Sequence, residues 1–77
     1  MALRRYRNRG RNSGVSAYET GEDYIKIEFV DGDLYLYTDA SAGPETIARM
    51  KQLAASGEGL STFISQRVRD RYAARLR

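Results

Sequence analysis

The side chains that most often carry enzymatic chemistry are missing from this 77-residue sequence, which contains no His and no Cys. A Ser nucleophile would therefore lack its usual imidazole base. No phosphate-cradling Gly-rich loop and no Gly-x-Ser-x-Gly turn occurs. The acid pairs Glu22/Asp23 and Asp31/Asp33 stand in turn-forming stretches, where carboxylates serve local hydrogen bonds. Their spacing is not that of an EF-hand, and a zinc site without imidazole or thiolate is close to excluded. These residues predict no catalytic group, no metal and no cofactor. The expectation is a binding module, not an enzyme.

The groups left to do the binding are arginines and tyrosines. Thirteen bases include eleven Arg, whose planar guanidinium forks onto phosphate and carboxylate more specifically than an ammonium does. They are segregated. Residues 1–14 hold five Arg and no acid, residues 15–45 hold Lys26 against eight acids, and residues 46–77 hold seven bases against Glu58 and Asp70. The net charges of the three stretches are +5, −7 and +5. The run Arg4, Arg5, Tyr6, Arg7, Arg9 and Arg11 has the composition of arms that neutralise phosphates and stack on bases. The same run could equally be a solvated tail, or a counter-charge for the acidic strands of this or a neighbouring chain. A second basic set, Arg67, Arg69, Arg71 and Arg75, with Arg77 beyond it, falls late in the sequence. It suits either a phosphate-facing helix or a merely soluble one. A contrasting candidate surface is Tyr35 and Tyr37 beside Glu28 and Asp33. Tyrosines two apart most often belong to the core. If exposed, an acidic aromatic face suits a protein partner better than a polyanion.

These groups must be positioned by a small scaffold. Residues 1–12 carry almost nothing apolar and predict a flexible arm, which leaves 13–77 as one domain. Val15–Tyr18 predicts a short strand. Tyr24–Val30 alternates and is β-branched, and Asp33–Thr38 predicts the return strand across Asp31-Gly32. A two-residue loop would set Phe29 opposite Leu34. A three-residue loop with Gly32 as the bulge would set Ile27 opposite Tyr35 and Ile25 opposite Tyr37. One residue of slip exchanges the two faces, and the sequence leaves both registers open. Pro44-Glu45 starts a helix that places Ile47, Met50, Leu53 and Ala54 on one side, and Ser56-Gly57 stops it. Leu60, Phe63, Ile64, Val68, Tyr72 and Leu76 then form the stripe of a second helix from about Ser61 to Ala74 or beyond. The expected core joins Ile27, Phe29, Ile47, Leu53, Phe63 and Ile64. The fold class is α+β, a three-stranded antiparallel sheet followed by two helices in the order β-β-β-α-α.

From Asn12 to Tyr72 the landmarks fall in the order of a known family. They are the opening Ser13 to Tyr18, the strand Ile25 to Phe29 ending at the Gly32 turn, and a central Tyr35-Leu36-Tyr37. Pro44 at the helix start, the small-residue stop Ala55-Ser56-Gly57 and the close Val68-Arg69-Asp70-Arg71-Tyr72 complete the series. In this the chain resembles the KTSC domain, a module found at the C-terminus of some lysyl-tRNA synthetases and as small free-standing bacterial proteins. The family's aromatic-Asn pair before the last helix is replaced here by Leu60-Ser61-Thr62-Phe63, and the Arg-rich arm lies outside the family pattern. By its place in those synthetases, the resemblance implies RNA binding.

The leading expectation is a module for RNA or single-stranded nucleic acid, using the arm and the last helix. The alternative is a protein-interaction module, an adaptor or a phage or mobile-element inhibitor, acting through the Tyr/acidic face or self-associating as a homodimer. No apolar run is long enough for a membrane span, and the basic N-terminus is not followed by a signal-like core. The expected location is cytoplasmic.

Overall fold

A computed structural model describes residues 3–7, 14–68 and 70–77. It contains a five-stranded antiparallel sheet and three helices, which corrects the expected three-stranded sheet followed by two helices. The strands are β1 (Arg4–Arg5), β2 (Val15–Thr20), β3 (Tyr24–Phe29), β4 (Leu34–Thr38) and β5 (Ala74–Arg75), neighbours in that order. Between β4 and β5 run α1 (Asp39–Ala42), α2 (Pro44–Ser56) and α3 (Leu60–Phe63). A π-helical turn, Ile64–Val68, follows α3 directly.

The three central strands form at the stretches predicted for them, with β2 running on from Tyr18 to Thr20. The hairpin takes the three-residue loop: Phe29 N–H donates to Asp33 O, Gly32 sits at φ 97°, and Ile27 and Ile25 face Tyr35 and Tyr37. Gly32 is required there because a side chain at that φ meets its own backbone. The register therefore sets both tyrosines on the side of Ile25 and Ile27. On β2 a bulge at Ser16 breaks the alternation, so Val15 pairs with Phe29 while Ala17 pairs with Glu28. The extra residue turns Val15 into the core and Ala17 to the opposite face. The bulge is held by Ser16 Oγ, which donates to Glu28 Oε1 at 2.9 Å.

The chain leaves β4 through a reciprocal cap. Ser41 N–H donates to Thr38 Oγ1, and Thr38 N–H donates to Ser41 Oγ, which satisfies free backbone groups at the start of α1. Pro44 then begins α2 as its type predicts. Helix α2 lays Ile47, Met50 and Ala54 over the sheet, and Leu60, Ile64 and Val68 extend that layer. Of the expected core, Ile27, Ile47 and Ile64 are buried, while Phe29, Leu53 and Phe63 pack against it partly exposed.

Both ends of the chain depart from expectation. The helix drawn to Ala74 stops at Val68, and the chain returns to the sheet. Ala73 N–H donates to Leu36 O at 2.6 Å and Leu76 N–H to Leu34 O at 2.7 Å, so the return satisfies the open edge of β4. Tyr72 continues the helical spacing of the apolar stripe, yet it stacks on Tyr35 with ring centroids 4.7 Å apart. At the other end, Arg4 and Arg5 pair with Tyr18 and Ala17, and Tyr6 is 3% exposed in the core. Within the segment 1–12 expected to be a flexible arm, residues 4–6 thus belong to the domain, while residues 1, 2 and 8–12 lie outside the described ones. Each sheet edge is a two-residue, Arg-bearing strand, a form that discourages edge-to-edge association.

Tyr37 gives this packing a pH signature. Burial, then the neighbouring phenols of Tyr35 and Tyr72, push its hydroxyl up to about 12. The folded protein holds the proton more tightly than the unfolded chain, whose phenol titrates near 10. This contribution is fully present below pH 10 and is lost as the pH climbs toward 12. Urea denaturation between pH 9 and 12 should show a loss of roughly 2 kcal/mol that Tyr37→Phe abolishes. An equal loss in both proteins would show that Tyr37 is not its source.

Candidate nucleic-acid interface

The arginines expected at the interface separate into three groups. Arg75 and Arg77 are engaged by the acids of the β3–β4 hairpin. Arg75 Nη2 lies 2.9 Å from Asp33 Oδ1, with its guanidinium 5.8 Å from the centre of the Tyr35 ring. Arg77 Nη2 pairs with Glu28 Oε2, and its Nε donates to Gly32 O. Exposed pairs of this kind are each worth no more than about 1 kcal/mol. They nonetheless give these two bases partners within the chain, and they neutralise two of the acids that would repel a polyanion.

Arg4, Arg5 and Arg7 form the second group, all exposed. Arg7 lies against the C-terminal end of α2, so close that a Cβ placed on Gly57 would stand 2.6 Å from Arg7 Cβ. Its positive charge there favours the negative end of the helix. Tyr6, expected as a stacking residue of the arm, is instead a core side chain whose hydroxyl accepts from Leu60 N–H at 3.3 Å. Arg9, Arg11 and Arg69 lie outside the described residues.

Arg67 and Arg71 form the third group with Arg49. They line a groove of about 880 Å³ between α2 and the helix that follows it, a volume in the range of small-ligand clefts. Leu53 and half-buried Phe63 supply its apolar surface, Thr46, Thr62 and Gln66 its neutral polar groups, and Glu45 its one acid. Arg49 uses one donor on Gln52 Oε1 at 3.2 Å, out of the five that a guanidinium carries. Among the described residues the ion pairs are Lys26–Glu19, Arg75–Asp33 and Arg77–Glu28, so none involves a groove arginine. Arg71 was expected on a helix, but it lies past the π turn, where its N–H donates to Val68 O.

Arg49, Phe63 and Gln66 do not stand out in the sequence as site residues. A usable signal was present. The Gly57-Glu58-Gly59 turn folds α2 back on its successor, so residues equidistant from Glu58 lie across from one another. That rule pairs Arg49 with Arg67 and Leu53 with Phe63.

The Tyr/acidic surface does not hold together as one face. Tyr37 is 1% exposed. Tyr35 sits between Phe29 and Tyr72 at centroid distances of 5.7 and 4.7 Å. Glu28 pairs in register with Leu34, one residue out of phase with Tyr35, so it points to the opposite side of the sheet. On that side Glu19 is almost buried; Tyr24 Oη donates to it at 3.1 Å, and Lys26 Nζ forms an ion pair with it at 3.5 Å. The Tyr24 phenol is raised, first by its bond to Glu19, then by burial and nearby carboxylates.

Fold and site together define a small α+β domain whose sheet is covered on one side by a helical hairpin with a basic groove. Compared with protein-family models, curated proteins and solved structures, the chain matches none. Among the described residues no cluster of three or more metal-ligating side chains occurs, and no helix is long and apolar enough to cross a membrane.

Proposed function

We propose that this chain is a non-catalytic module for RNA or single-stranded nucleic acid, of KTSC type. The observation that carries the reading is the separation of charges after folding. The acids Glu19, Glu28 and Asp33 are bonded to Lys26, Arg77 and Arg75. Arg49, Arg67 and Arg71 meet in one groove with a single acid beside them. Arg7, just past β1, is packed against Gly57, two residues from Gly59 at the groove's lining. A phosphate backbone is the anion that three forked cations around one groove recognise best. The resemblance in the sequence points the same way.

Binding of a fluorescent RNA twelve-mer, followed by anisotropy across a salt series, tests this reading. Affinity should fall linearly with log salt. Replacing Arg49, Arg67 or Arg71 with Gln should reduce the slope by about 0.7 for each phosphate no longer neutralised. Replacing Arg4 and Arg5 should act in the same direction. Absence of binding by the wild-type protein at low salt rejects the proposal.

A further inference from the structure

We infer that the groove between α2 and α3 with its π-helical turn seats an unpaired base against Phe63 while Arg49, Arg67 and Arg71 hold the flanking phosphates, so that the module selects single strands over duplex. This inference rests on the nucleic-acid reading above and narrows its ligand. Phosphate binding needs only cations on an open surface. Here the cations rim a cleft that also contains an aromatic ring and hydrogen-bonding side chains. Phe63 packs on the core yet remains partly exposed, and it lines the groove. Aromatic rings so placed stack bases without regard to sequence. Thr62 and Gln66 beside it carry donors and acceptors suited to a base edge. An acidic peptide would use the arginines but leave the ring without a flat partner. A duplex keeps its bases stacked and paired, so it would reach the rim and not Phe63.

The test compares four probes by anisotropy at low salt: a single-stranded RNA ten-mer, the same sequence as duplex, an abasic strand of equal length, and a poly-aspartate peptide. The single strand should bind at least tenfold more tightly than the other three. Phe63→Leu should weaken single-strand binding about tenfold, the scale of one stacked base, and leave the salt slope unchanged. Arg67→Gln should instead lower the slope by about 0.7. Equal affinity for the single strand and the abasic strand overturns the base slot and leaves a phosphate site, with the nucleic-acid reading intact. Equal, salt-sensitive binding of poly-aspartate reduces the groove to a charge trap and overturns the inference. No binding of any nucleic acid rejects the underlying reading as well. If Phe63→Leu melts too early to assay, the comparison of single and abasic strands in the wild-type protein still decides the matter.

Discussion

Tyr6→Ala should destabilise the domain by about 3–5 kcal/mol, the usual cost of truncating a buried aromatic. The residue stands in a segment whose sequence predicts a tail. The residue is 3% exposed among the core side chains, and its hydroxyl accepts the N–H of Leu60 at the start of α3. That N–H belongs to a first helical turn and has no partner within the helix. Truncation therefore opens a cavity and orphans a buried donor. Folded domains are stable by roughly 5–15 kcal/mol, so the loss is a large fraction of the whole. Tyr6→Phe keeps the ring but still leaves the Leu60 N–H without its acceptor, and should cost about 1–3 kcal/mol, the penalty of an unsatisfied buried donor. Chemical denaturation of the three proteins measures both steps. A loss below about 1 kcal/mol for Tyr6→Ala would show that the N-terminal strand is not part of the folded core.

Gly57→Ala should be costlier than Gly59→Ala, by a margin set by Arg7. Both glycines have positive φ, 82° and 84°, a conformation that costs an L-residue about 1–2 kcal/mol. At Gly59 an added Cβ meets only Leu53 Cδ2 at 3.5 Å, an ordinary van der Waals distance. At Gly57 it meets Arg7 Cβ at 2.6 Å, where something must move. Overpacking of this kind adds roughly 1–3 kcal/mol. Arg7→Ala cannot relieve it, because the clash is with Cβ. Arg7→Gly should, and the double variant Gly57→Ala/Arg7→Gly should recover most of the excess over Gly59→Ala. Equal destabilisation by the two alanines would place the Arg7 backbone elsewhere.

The proposed interface draws on the same turn. The Gly57-Glu58-Gly59 reversal fixes how the helix of Arg49 lies beside that of Phe63 and Arg67. Arg7 and Tyr6 brace the turn from the sheet side. Destabilising the N-terminal strand should consequently weaken nucleic-acid binding through the groove as well as through the loss of bases.

Where local physics dominates, the residue types alone were enough to foresee the outcome. The alternation of Tyr24–Phe29 makes a strand in any register, Pro44 starts a helix, and Gly57 ends it. The remaining choices were made by packing, because they depend on partners far along the chain. The periodicity of Leu60 to Leu76 fits one helix equally well. The open edge of β4 offers backbone bonds, and Tyr35 offers a ring to stack on, so the last residues return to the sheet. The arginines of the N-terminal stretch predict solvation, and a single tyrosine among them finds a buried site that holds the strand in place. The hairpin register, open in the sequence, goes to the alignment that buries Tyr37 with Ile25 and Ile27. Charge segregation was plain from the order of the residues. Which arginines remain without an acid was not, because ion pairing depends on distance in space, and Arg75 and Arg77 reach Asp33 and Glu28 only after β5 has docked.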